Sequence, residues 1–189
     1  KIITTGSGGA VLTNSKKIAK TVTYLAEQAK DNSIKYIHND IGYNYRLPNL
    51  NAAFGYGQLL NLDKFIKKRK FIYNFYCKYL DESGGTSILK PANYSNSNHW
   101  MNVLILDRRK IKITPFQFHK KLLKKGIQTR LVWRPNHLQK KFLNMQKYKI
   151  TKSNEIYNSC LCIPSSVDLS IIQLKKICNS IIQIAKGKK

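Results

Sequence analysis

The apolar rhythm of this chain changes once, at Ser83-Gly84-Gly85, and the two sides of that break call for different folds. Before it, Ala52, Ala53, Leu59, Leu62, Ile66, Phe71 and Phe75 predict one long amphipathic helix from Leu50 to about Leu80. Pro48 suits its first turn, and Asn49 or Asn51 could also serve there. Gly55 and Gly57 lie inside this helix, where each costs about 1 kcal/mol, so close packing against another backbone is the expected compensation. Further upstream, Ala10–Thr13 reads as a short strand. Asn14 or Ser15 then caps a helix carrying Ile18, Val22, Leu25, Ala26 and Ala29, and 31–47 is irregular. Beyond the break the pattern alternates. A strand over Trp100–Leu106 precedes a helix from Thr114-Pro115 to Gly126, with lysines in its last turn. A second strand over Ile127–Trp133, a short helix over Ser153–Ser159 and a third strand over Cys160–Ile163 follow. A final amphipathic helix runs over Leu169–Ala185. That order predicts an α+β unit from about residue 86, and two domains divided as 1–84 and 85–189.

Charge is the next constraint. Against 34 Lys and Arg stand 9 Asp and Glu, a net +25 over 189 residues. A basic nucleic-acid-binding or regulatory module is one reading of that excess, because cations displace counterions from phosphate. Three features oppose it. Only six of the cations are Arg, the residue suited to bidentate phosphate and base contacts. The lysines are spread along the chain, with no basic tail beyond Lys186-Gly-Lys-Lys189. They are accompanied by many Asn and Ile residues, as a compositional bias would produce. Nucleic acid is therefore not the expected partner, while the positive potential would still steer an anionic small molecule into a cleft. No apolar run reaches the roughly 18–20 residues of a transmembrane helix, so no membrane partner is expected. Cys160-Leu-Cys162 is spaced too closely for a zinc knuckle, Cys77 and Cys178 sit in helical patterns, and no metal site is expected. Reduced thiols point to the cytoplasm. The chain opens on Lys1 and a strand-like segment rather than on Met, which reads as a processed, truncated or partial sequence.

Three segments carry candidate chemistry. Lys1-Ile-Ile-Thr-Thr-Gly-Ser-Gly-Gly-Ala10 has small and hydroxyl residues that let backbone N–H groups approach an anion, or form only a tight turn. In Ile41-Gly-Tyr-Asn-Tyr-Arg-Leu-Pro48, Asn44 and Arg46 stand two apart. On an extended backbone that puts an amide and a guanidinium on one side, where they could grip phosphate oxygens. The plainer alternative is that Asn44 satisfies the turn and Arg46 forms a surface ion pair. In Gly126-Ile-Gln-Thr-Arg-Leu-Val-Trp-Arg-Pro-Asn-His137, a strand leads into a loop bearing Arg130, Trp133, Arg134 and His137. A lone histidine in such a loop is also compatible with a structural role.

Together and in this order, these segments resemble the pyridoxal-phosphate-dependent sugar-nucleotide aminotransferases of the DegT/StrS type. The resemblance extends through Leu50-Asn-Ala-Ala53, Gln58-Leu59 and Ile163-Pro-Ser-Ser166, and so covers essentially the whole chain. It is nearest the branch that aminates UDP-linked 4-keto-6-deoxy sugars on the way to bacillosamine- or legionaminic-type products. It implies the α/β architecture of fold type I aminotransferases: the end of a large domain with a long helix, then a small C-terminal α+β domain. It implies pyridoxal 5'-phosphate as cofactor, a nucleotide-linked keto sugar and L-glutamate as substrates, and a homodimer with a shared site. Carried over residue by residue, the cofactor-binding lysine falls on Lys1 and the phosphate-binding asparagine, which serves the neighbouring subunit, on Asn44. Arg46, Trp133 and His137 fall among the substrate-facing residues. A lysine amine is the group that forms an imine with such a cofactor. Ser7 departs from the Glu or Gly of many relatives. A sugar dehydratase on the same fold, in which histidine replaces the lysine, is disfavoured by Lys1. The ring-binding residues of the family precede the lysine, so the chain resembles the C-terminal half of the enzyme and is expected not to transaminate alone.

Overall fold

The computed structural model describes residues 2–80 and 84–187. The chain forms two compact units, residues 1–63 and 64–189. The first unit begins with an irregular segment leading to α1 (Lys16–Ala26). Ser15 caps that helix by accepting a hydrogen bond from Ile18 N. The expected strand at Ala10–Thr13 is absent. Val11 and Leu12 are exposed, and no described strand lies beside them to satisfy their backbone groups. After α1 come β1 (Lys30–Asn32) and β2 (Ile37–His38), a small antiparallel ribbon inside the stretch expected to be irregular.

The long helix expected from Leu50 to Leu80 is two helices, α2 (Asn49–Leu59) and α3 (Leu62–Leu80). The break falls at Leu60-Asn61, where the Asn61 side chain turns back to donate to the Gly57 carbonyl at 3.0 Å and competes with the helical ladder. Pro48 lies just before α2 with an extended backbone rather than inside its first turn, and no side chain caps the helix. Gly55 does face a close neighbour, although it is the Thr5 methyl rather than a backbone; Gly57 faces open space.

The second unit is a four-stranded antiparallel sheet, ordered β3-β4-β6-β5, covered by helices. Its strands are β3 (Thr86–Ile88), β4 (Asn102–Leu106), β5 (Arg130–Leu131) and β6 (Cys160–Ile163), and its later helices are α4 (Pro115–Lys124), α5 (Thr151–Ser159) and α6 (Ile171–Ala185). Thr114 and Ser170 each begin a helix with a reciprocal capping box, to Gln117 and Gln173. β5 is shorter than the expected Ile127–Trp133. Gly126, at φ 73°, turns the chain so that Ile127 N bonds back to Leu122 O, and Thr129 is engaged by His119 at 2.8 Å.

The core explains where the units divide. On α3, Arg69, Ile72, Tyr76 and Leu80 recur at helical spacing and are buried. The last three pack with Leu104 and Leu106 of β4, Leu161 and Ile163 of β6, Phe118 and Leu122 of α4, and Leu174, Cys178 and Ile181 of α6. The Tyr76 hydroxyl donates to the Pro164 carbonyl at 2.9 Å. α3 therefore belongs to the second unit, and compactness divides the chain before it rather than at the glycine pair. In the first unit the one buried hydrophobic residue among those described is Ala29.

Among the described residues no three His, Cys, Asp or Glu side chains are placed to hold a metal ion, and no helix is long and apolar enough to cross a membrane. All four cysteines are free. Burial pushes the Cys160 and Cys162 thiols up from their ordinary value, and Cys178 up to about 12. The thiolate is the reacting form. Iodoacetamide at pH 8 is therefore expected to modify these three at least roughly tenfold more slowly in the folded chain than in urea. Equal rates would show that the core does not shield them.

Candidate active site

The glycine-rich segment and the Asn44–Arg46 segment meet in the first unit, and a backbone crossing fixes how. α1 ends at Ala26 with Glu27 as its C-cap, after which Gln28 and Ala29 take left-handed conformations at φ 74° and 50°. The chain runs out through β1 and β2 and returns antiparallel to the end of α1. Tyr43 N donates to Leu25 O at 2.7 Å, Gln28 N to Tyr43 O at 3.0 Å and Tyr45 N to Ala26 O at 3.0 Å, so that Asn44 pairs with Glu27. Gly42 permits this crossing. A Cβ there would stand 2.2 Å from the Gln28 carbonyl carbon and 2.3 Å from Ala29 N.

An extended strand places alternate side chains on opposite faces. Tyr43 and Tyr45 stack on each other with ring centroids 5.1 Å apart. Asn44 and Arg46 take the other alternation, and both line two clefts. One, of about 860 Å³, also has Ser7, Gly8 and Gly9 in its wall, with Leu25 and Ala26 of α1 and Pro48. The second, of about 750 Å³, lies against Lys20, Tyr24, Glu27 and Lys30. The Asn44 side chain makes no hydrogen bond to a described residue, so the alternative that it satisfies the turn is not realised. The surface ion pair expected as the plain reading of Arg46 does form: its Nη1 lies 3.0 Å from Glu27 Oε1, with both side chains well exposed. Such a pair contributes about 0–1 kcal/mol.

Helix α2 holds the glycine-rich segment from below. Asn51 Nδ2 donates to Thr5 O at 2.6 Å, and the absence of a Cβ at Gly55 leaves room for Thr5. Gly8, at φ 126°, adopts a conformation that suits glycine, and a side chain there would also meet Leu47 at 2.8 Å. Gly42, Asn51 and Glu27 were not recognisable as site-building residues in the sequence, since each acts through a contact with a distant segment. The one available signal, for Gly42 and Asn51, was their place in or beside the Gly-Tyr-Asn-Tyr-Arg-Leu-Pro motif; Glu27 carried none.

Lys1 lies outside the described residues. Trp133 and His137 belong to the second unit. Trp133 is exposed, its ring 6.2 Å from that of Trp100. His137 is half-buried, and its Nε2 lies 2.9 Å from Asn154 Oδ1.

Comparison with known proteins gives a consistent result. Residues 1–182 match the DegT/DnrJ/EryC1/StrS aminotransferase family. GDP-perosamine synthase of Escherichia coli O157:H7 is 32% identical over 189 residues, covering 100% of this chain and 50% of that protein. The putative pyridoxal phosphate-dependent aminotransferase EpsN of Bacillus subtilis is 30% identical over 174 residues, covering 90% of this chain and 44% of that protein. The chain thus spans about half the length of the curated relatives it matches. Among solved structures, Helicobacter pylori PseC, an aminotransferase of pseudaminic acid biosynthesis, superposes with a TM-score of 0.84 at 19% identity, over 99% of this chain and 51% of that one. That likeness shows the fold, the α/β architecture of fold type I aminotransferases. The match over residues 1–182, with a relative 32% identical across the whole chain, places this chain in the DegT/DnrJ/EryC1/StrS aminotransferase family.

Proposed function

We propose that this chain is part of a pyridoxal-phosphate-dependent aminotransferase that acts on a nucleotide-linked keto sugar, with L-glutamate as amino donor. In this reading it works in the cytoplasm as a homodimer with a shared site and serves polysaccharide biosynthesis. The observation that carries the reading is the family match over residues 1–182. The donors on the wall of the larger cleft suit anionic ligands: the unengaged amide of Asn44 fits a phosphate oxygen of the neighbouring subunit's cofactor, and the Arg46 guanidinium an anionic substrate. The cofactor, when bound, supplies an electron sink for the carbanion character at the reacting carbon.

The protein's own residues then divide the work. Lys1 Nζ anchors the cofactor and, once released, takes the proton from the donor's Cα. It must be neutral to do so, and a strongly positive chain favours that form. Asn44 donates through its amide to a phosphate oxygen of the cofactor held by the neighbouring subunit. Arg46, held by Glu27, presents positive charge to an anionic substrate. Trp133 offers a flat apolar face, and His137 a ring nitrogen, to the sugar.

The test is covalent. Borohydride reduction of the holoprotein, followed by digestion and peptide mapping, is expected to leave the pyridoxyl group on Lys1. A label on another lysine, or none, overturns the assignment.

A further inference from the structure

We propose that Asn154 is a positioning residue for His137, holding the imidazole with its proton on Nε2 so that Nδ1 is left to accept a hydrogen bond from a hydroxyl group of the substrate sugar. The proposal rests on the reading of His137 as substrate-facing, and goes beyond it by assigning the ring's protonation and the group that sets it.

His137 sits in a single 3-10 turn, Asn136–Leu138, directly after Pro135. That turn is closed by Leu138 N to Pro135 O at 2.9 Å and Gln139 N to Asn136 O at 2.9 Å. A short turn on the surface is a poor platform for a directional contact. Asn154 is different. It lies on α5, which packs against β4 and β6 of the sheet. The 2.9 Å contact from His137 Nε2 to Asn154 Oδ1 therefore ties the loop histidine to a helix that lies against the sheet.

With the amide oxygen of Asn154 facing the ring, the contact calls for a proton on Nε2. An amide oxygen only accepts, so the facing ring nitrogen must donate. A neutral imidazole has one donor, so with Nε2 committed, Nδ1 carries the lone pair. Nδ1 makes no hydrogen bond to a described residue. Pyranose hydroxyls are donors of the matching kind. Trp133, exposed four residues before and tilted at 42° to the ring of Trp100, offers an apolar surface on the same loop against which a sugar ring can lie.

Asn154→Ala removes the acceptor and improves helix propensity, so the variant is expected to fold. Asn154→Asp retains an acceptor oxygen and serves as the rescue. Long-range proton–nitrogen correlation spectra of the 189-residue chain with ¹⁵N-labelled histidine, at pH 8, read the ring directly. His137 is expected to be wholly Nε2-protonated in the wild type and in Asn154→Asp, and to be a mixture of both neutral forms in Asn154→Ala. In the holoenzyme, Asn154→Ala is expected to raise KM for the nucleotide sugar roughly fivefold, the loss of one oriented neutral hydrogen bond. kcat and KM for the amino donor should be unchanged, and Asn154→Asp should restore the wild-type value. An Nδ1-protonated His137 in the wild type, or an Asn154→Ala spectrum identical to it, overturns the proposal. So does equal loss on both substrates. The spectrum needs no cofactor, so its failure is distinguishable from a misplaced pyridoxyl label.

Discussion

Amide hydrogen exchange of the 189-residue chain is expected to split sharply between the two units. The amides of β4, β6 and α6 should exchange at least about a thousandfold more slowly than those of α1 and α2. The reason is packing rather than hydrogen bonding, since all these elements are hydrogen-bonded helices or strands and differ in what covers them. α1 and α2 are each 11 residues long with no buried residue. Helices of that length are marginal in water unless tertiary contacts hold them. α2 has only its contacts with Thr5, through Asn51 and Gly55, despite an apolar sequence: Leu50 is 85% exposed and Tyr56 65%. α6 is only modestly longer, 15 residues, yet Leu174, Ile177, Cys178, Ile181 and Ile184 are all buried in the core. Opening it requires dismantling that core, so its amides report global unfolding. Slow exchange in α2 equal to that in α6 would show that α2 is covered in solution, and would remove the distinction drawn between the units.

The same contrast shows which parts of the fold were legible in the sequence. α4 and α6 were, because their signals are local: Thr114-Pro115 at one start, Lys124 and Gly126 at one end, and an apolar stripe in between. β4 and β6 were legible as apolar runs. β3 was not, because Thr86-Ser-Ile88 is too short to show alternation and is a strand only through its pairing with β4. Ala10–Thr13 failed in the opposite direction: its composition suits a strand, and no strand lies beside it. In the site, the spacing of Asn44 and Arg46 sufficed to place them on a common wall, since alternation is a local property. Glu27 holding Arg46, Asn51 holding Thr5 and Asn154 holding His137 are contacts between distant segments, which periodicity does not encode.

Gly42 is the sharpest case of that kind, and Gly42→Ala is expected to be the most damaging single-methyl change in the first unit. The methyl would meet three backbone atoms of Gln28 and Ala29 within 2.7 Å. No side-chain rotation relieves such a contact. The opposing backbone cannot yield easily either, because Gln28 and Ala29 are already left-handed and are pinned by Gln28 N to Tyr43 O and Ala29 N to Tyr24 O. Relief requires the returning segment to lift from α1, with loss of the bonds made by Tyr43 and Tyr45, at a cost of about 3 kcal/mol. The stacked ring protons of Tyr43 and Tyr45 should therefore lose their mutual shielding in the proton spectrum. With Asn44 and Arg46 displaced, cofactor affinity of the holoprotein should fall at least roughly tenfold, the equivalent of about 1.4 kcal/mol. Gly57→Ala is the matched control, because it adds the same methyl to open space inside α2. It is expected to leave both readouts unchanged while improving helix stability by about 0.5–1 kcal/mol. If Gly42→Ala instead preserved the tyrosine shifts and the affinity, the crossing would not be what presents Asn44 and Arg46.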